Sequence, residues 1–513
     1  YMGILPAMDN PDSPLSKLPM AKEMFGTDPE LIVRAFNKIG GSVRSGKPFP
    51  EAYDRALIDS TWQSATASAD RHYEPGKLTT FSAYEFTSVD GRGREDESFA
   101  GGNLHRNVVF ENGAPKRLFS TLDSTNPEDL WTWMDSERAA GRDVMAIPHN
   151  SNASNGQMFV SSLSAEDAQL RIRNEPLVEI TQVKGTSETH PSLSLNDEWA
   201  DFELYDALIG STENSTPEMG SFIRQTLARG LAVKDATGVN PFEFGVIGSS
   251  DTHLGAPALK EETFFGKFPH DLNPESRQST PPKGATEWPT DYKPPTDLIA
   301  TPQYGASGLA GVWAEANTRQ DIFKSMQAKE TFGTSGPRLK IRLFALTDKA
   351  PENILGTPDM IEKAYANGAP MGQTIDAKTP PKLLAWAARD VNSAPLERLQ
   401  VIKTWMEDGT PQEQLIDIAC AIGDPINGRC GDQELAVDIS TCTRSGTGAA
   451  ELKTIWSDPT YKTGQKAAYY LRVLEGPKCR WSTWDAVRNG TPPNPTMKKT
   501  VQDRAWSSAI WVE

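Results

Sequence analysis

The stretch that most limits what this chain can fold into is 241–253, PFEFGVIGSSDTH. Its apolar run, 242–247, is short and ends in Gly248-Ser249-Ser250 before presenting Asp251 and His253. A run of that length reads as a buried strand of a parallel sheet. Ligand-type residues at the C-terminal end of such a strand stand where α/β barrels carry their chemistry. Side chains two apart in an extended chain share a face, so Asp251 and His253 can converge on one cation. A lone D-x-H also fits a turn aspartate beside a surface histidine, and the metal reading gains weight only because the pattern recurs.

It recurs upstream. Residues 78–86 read as a strand carrying Glu85 among apolar and aromatic neighbours, where a carboxylate is costly unless it is paired or bound to a cation. His105 opens a second strand at 108–110. An amphipathic helix at 127–140, with Leu130, Trp131 and Met134 on one face, leads to an apolar run at 144–147 that ends in Pro148-His149-Asn150. Strand, helix and strand in that order predict a parallel pair. A helix at 164–173 precedes a strand at 177–180 with Glu179, followed by Gln182 and Lys184. The loop 185–191 carries Glu188 and His190, and a helix at 217–230 returns the chain to 242–247. Before all of these, Asp28 caps a predicted helix through 38, and a second helix is expected over 51–72.

Residues 270–310 form a Pro-, Ser- and Thr-rich excursion, followed by a helix at 318–329. After the 334–338 loop, which holds Arg338, the pattern changes to β-branched and aromatic runs at 340–345, 399–405, 467–474 and 506–512, a signature of an antiparallel sheet or sandwich. The expected division is therefore an α/β domain over 1–335, with an insertion near 270–310, and a β-rich domain over 336–513.

With 513 residues, one domain is too few. A net charge of -16 argues against nucleic acid as a partner. No apolar run is long enough to span a bilayer, and no signal peptide is visible at the first residues. The four cysteines, Cys420, Cys430, Cys442 and Cys479, all lie in the last third and form no C-x-x-C. They read either as two disulfides of a periplasmic or secreted protein or as four reduced thiols.

Glu85, His105, His149, Asp251 and His253 make a donor set suited to manganese, zinc or iron. Segments spread over most of the chain resemble a bacterial domain-of-unknown-function family related to the polymerase-and-histidinol-phosphatase (PHP) superfamily. They include Tyr84-Glu85-Phe86, Asn103-Leu104-His105-Arg106-Asn107, Ile147-Pro148-His149-Asn150, Gly248-Ser249-Ser250-Asp251-Thr252-His253, Thr334-Ser335-Gly336-Pro337-Arg338 and Cys479-Arg480-Trp481-Ser482. The resemblance implies a distorted (β/α)7 barrel binding two or three divalent ions, with Glu85 as the bridging carboxylate and the four other residues as ligands. The H-x-H and D-H motifs that open superfamily sequences do not occur here, so the expected barrel lacks its first strands.

The expected activity is that of a metal-dependent hydrolase, a phosphoesterase using a metal-bound hydroxide on a small anionic substrate. The alternatives are hydrolysis of a carboxylic ester, carbamate or amide at the same site, and a non-catalytic extracytoplasmic binding protein. Glu188 with His190 would form a proton-donor pair, against a plain loop histidine. Arg338 would grip an anionic group, against a surface salt bridge. Arg106 would contact phosphate or pair with an acid.

Overall fold

The computed structural model describes residues 4–26, 28, 31–32, 34–35, 38–39, 55–89, 101–209, 214–293 and 303–513. Of the helix expected from Asp28 to 38, the described residues 31–32, 34–35 and 38 are helical; residues 51–54 of the second helix lie outside the described residues, and the rest is described as Arg55–His72.

The upstream apolar runs form two small sheets. Strands Ser82–Phe86, Arg106–Phe110 and Val144–Pro148 make one. Leu177–Gln182 lies between Gly185–Thr186 and Gly245–Gly248 in the other. The second sheet meets the parallel expectation, since Leu177–Gln182 and Gly245–Gly248 run together. The first does not, because Arg106–Phe110 pairs with Val144–Pro148 antiparallel. Helix Pro127–Ala139 does lie between these two strands in sequence, as foreseen. Its connection is long enough to bring the chain back in either direction, so helix placement alone does not set strand polarity.

Each face of the second and third strands has its own cover, which explains the apolar runs 108–110 and 144–147. Val108, Phe110, Val144 and Ala146 pack on Trp62, Leu130, Trp131 and Met134 of the flanking helices. The alternate residues Val109, Met145 and Ile147 pack on Leu177, Ile247 and Phe323. No hydrogen-bonded ladder joins the two sheets, and no closed barrel forms among the described residues. The protein is a mixed α/β fold of several sheets.

The C-terminal runs build an eight-stranded sheet and a four-stranded sheet. They pack face to face. Tyr469, Leu471 and Val473 of strand Ala467–Glu475 meet Ile341, Leu343, Leu383 and Ala385 of the smaller sheet. The alternate residues Ala468 and Tyr470 face the other way, onto helix Ile223–Thr237 and Phe242 and Phe244. With both faces buried, a strand needs no polar alternation. The larger sheet also takes in Leu309–Val312 and Thr331–Thr334, from before residue 336. The run expected at 506–512 divides into Arg504–Ser507 and Ile510–Val512.

Both disulfides form, Cys420–Cys430 and Cys442–Cys479, and leave no free cysteine. No helix among the described residues is long and apolar enough to cross a membrane.

Candidate metal centre

The antiparallel register of the first sheet assembles the site. Phe86 stands opposite Arg106, and Arg106 opposite Pro148. The end of the first strand, the start of the second and the end of the third therefore share one edge. Glu85, His105 and His149 occupy those three positions, and the ladder extends past the strands through His149 N–H donating to His105 O at 3.2 Å.

His105 Nδ1 lies 2.8 Å and His149 Nε2 3.3 Å from the same oxygen, Glu85 Oε1. The imidazoles are 5% and 2% exposed, whereas the Glu85 side chain keeps 33% of its surface open. Burial pushes the Glu85 carboxyl up, but the hydrogen bonds and charges of His105 and His149 outweigh it and hold the group well below the usual carboxylate range.

One ligand atom from each of these three residues lies within 4.8 Å of the others. Ligands about 2.1 Å from a tetrahedral ion stand roughly 3.4 Å apart, so the spacing suits one divalent ion. The donor set, one carboxylate oxygen and two imidazole nitrogens, suits zinc, manganese or iron. His149 Nδ1 is buried with no hydrogen-bond partner among the described residues.

Asp251 and His253 stand apart from this group. Asp251, at the left-handed φ of 49°, is claimed by two ammonium groups. Lys184 Nζ makes a very short contact with Asp251 Oδ2, and Lys267 Nζ donates to Oδ2 and to the Asp251 carbonyl oxygen, both at 2.7 Å. Lys267 Nζ also sits 3.1 Å from His253 Nδ1. Burial and the charges of Lys267 and Lys184 push the His253 imidazole down to about 3, so it is neutral. Burial likewise pushes Lys267 to about 7, and burial together with the Lys267 charge pushes Lys184 well below an ordinary lysine.

The two clusters share one environment. Glu85 acts electrostatically on Lys184, Lys267 and His253. Glu179 braces them: Oε1 accepts from Asn150 N–H at 3.3 Å, next to His149, while Oε2 accepts from Ser249 Oγ, two residues before Asp251. Asn150, at φ 54°, is like Asp251 a non-glycine residue in left-handed backbone within three residues of a strand end.

The other expected site residues go elsewhere. Glu188 is 2% exposed. It accepts from Arg224 Nη2 at 2.6 Å, Tyr470 OH at 2.8 Å and Arg472 Nη1 at 3.1 Å. Burial raises this carboxyl, but the Arg472 and Arg224 charges outweigh that and bring it down to about 2. It is a fixed structural anion with no proton to give, rather than half of an acid pair. His190 engages Ser192 Oγ through Nδ1 at 2.7 Å instead of Glu188. Arg338 is exposed, and its backbone N–H donates to Asp390 Oδ2 at 2.8 Å. Arg106 pairs with an acid, its Nε 2.5 Å from Glu175 Oε1.

Lys184 carried the same signal as the histidines, a polar side chain just past a strand, and its partnership with Asp251 was the part the sequence concealed. Lys267 lies in an irregular loop and offered no signal at all.

Compared with known families, residues 1–513 match the family described as "Protein of unknown function (DUF3604)", and the chain belongs to that family. No curated protein and no solved structure matches it.

Proposed function

We propose that this DUF3604 member is a metal-dependent hydrolase, in the first instance a phosphoesterase, with Glu85, His105 and His149 holding a divalent transition ion. The observation that carries the reading is the convergence of these three side chains, one in a strand and two directly beside the ends of two others, within 4.8 Å. The resemblance of the strand-end motifs to the PHP superfamily points the same way, and it is the basis for proposing a phosphate ester as substrate.

Such an ion, when bound, supplies a Lewis acid for an ester oxygen and makes a nearby water more acidic. The chain's own contributions are separate. Glu85 stays ionised over the working pH range and keeps both imidazoles turned toward one point. Asn150 and Glu179 fix the loop behind His149. Lys267 holds Asp251 in its left-handed turn. Hydrolysis adds water across the phosphorus–oxygen ester bond and releases the alcohol and phosphate.

Two disulfides and no free cysteine support an extracytoplasmic location. A carboxylic ester, carbamate or amide remains a substrate class for the assay panel. Chromogenic phosphate and carboxylate esters should be assayed on the purified chain after chelation and after adding back manganese or zinc. Phosphate-ester turnover that requires the metal is the expected result. Metal-independent turnover, or none with any ester at full metal occupancy, overturns the proposal.

A further inference from the structure

Lys184 and Lys267 are both buried, 5% and 3% exposed, and both ammonium groups bind the same oxygen, Asp251 Oδ2. Two buried amines face one carboxylate, and burial disfavours the ammonium form of both; an anion that joins them would offset that cost. Glu85 and Glu179 act electrostatically on both lysines, while their hydrogen bonds go to His105 and His149 and to Asn150 and Ser249.

The two lysines are not equivalent. Lys267 Nζ spends its donors on Asp251 O, Asp251 Oδ2 and the neighbourhood of His253 Nδ1. Lys184 Nζ has Asp251 Oδ2 as its carboxylate acceptor, lies in hydrogen-bond contact with Lys267, and keeps further N–H capacity. Buried polar atoms on the same strand-end loops lack partners among the described residues: Gln182 Nε2, whose Oε1 accepts from the Lys184 backbone N–H, and, in the loop after His149, both amide atoms of Asn150. Unsatisfied buried polar groups call for a polar ligand.

We propose that Lys184 is the substrate-anion residue of this site, held by Asp251 and donating to a charged non-bridging oxygen of a phosphate monoester. The assignment rests on the hydrolase reading for its substrate but not for its binding chemistry. Lys267 is the positioning residue, which fixes Asp251 through its carbonyl and its carboxylate. A phosphate dianion would favour the ammonium form of Lys184 and balance the charge of a divalent ion paired with Glu85. A neutral carboxylic ester would do neither.

The test is calorimetric titration of the full chain with inorganic phosphate, metal-free and zinc-loaded, comparing wild type with Lys184→Met and Lys184→Arg. Lys184→Met is expected to weaken phosphate binding by roughly tenfold to a hundredfold, as for loss of a hydrogen bond to a charged group. Lys184→Arg should keep most of the affinity, and zinc content should be unchanged in both. If esters are turned over, Lys184→Met should raise KM for a phosphate monoester far more than for a neutral ester. Unchanged phosphate affinity in Lys184→Met overturns the assignment, as does loss of zinc together with phosphate, or a wild type that binds no phosphate at millimolar concentration. If Lys184→Met does not fold, the Lys184→Arg titration decides, and a loss as large as full removal of binding counts against the proposal. Phosphate binding that depends on Lys184, with no ester hydrolysed, would sink the hydrolase reading and leave this one standing.

Discussion

His149 N–H donates to His105 O at 3.2 Å, so the backbones of two imidazole-bearing residues are tied by the same ladder that aligns their strands. The candidate ligands thus stand in or directly beside paired strands. A site built this way is held in shape before any ion arrives, which lowers the ordering cost of binding.

Glu85→Gln should therefore act on metal affinity and little on folding. The amide keeps the size but loses the anion that both imidazoles face. We expect zinc or manganese affinity to fall by more than about 100-fold, beyond the tenfold to hundredfold typical of an outer-shell partner. Competition with a fluorescent chelator measures it. Unchanged affinity would remove Glu85 from the ligand set.

The buried ion network should prove structural. Arg224, on helix Ile223–Thr237, and Arg472, on strand Ala467–Glu475, bind Asp197 at 2.8 Å each and share Glu188. Arg472→Met leaves two buried carboxylates with one arginine. We expect a loss on the order of 3–5 kcal/mol in urea unfolding, with zinc affinity per folded molecule unaltered. A loss below about 1 kcal/mol would mean water reaches this network.

Glu261 should make stability fall with rising pH. Burial, with the charges of Asp503 and Glu203, pushes its carboxyl up to about 8. The folded chain then holds a proton that the unfolded chain releases near its ordinary value of about 4.3. Stability from this group is full below that value and is lost as pH rises toward 8. Glu261→Gln keeps an oxygen acceptor for the Trp481 N–H, now 2.6 Å away, and removes the titration. The variant should show a flatter decline in thermal stability between pH 5 and 8 and be the more stable protein at pH 8. An unchanged slope would assign the decline to other groups, of which Glu475, pushed up to about 7 by burial, is the first candidate.

The two disulfides should differ in worth. Cys442–Cys479 spans 37 residues and Cys420–Cys430 spans 10. Loop-closure entropy assigns about 4 kcal/mol to the longer and about 3 to the shorter. Paired Cys→Ser variants, compared by chemical unfolding, should rank in that order.

Composition and pattern were enough for several conclusions about this protein. Apolar runs ending in ligand-type residues marked the strands and named Glu85, His105 and His149, because a strand's burial and its polar terminus are both local properties. The change of pattern after 338 announced the β-rich half for the same reason, and cysteine count and placement pointed toward disulfides. Strand polarity, sheet closure and charge partnership needed the tertiary structure. Whether Arg106–Phe110 and Val144–Pro148 run parallel depends on how a long connection returns. That Asp251 faces Lys184 and Lys267, and Glu188 faces Arg224 and Arg472, depends on residues far away in sequence. A carboxylate's role as metal ligand, counter-ion or internal anion is set by the charges within a few ångströms of it, and the fold alone chooses those neighbours.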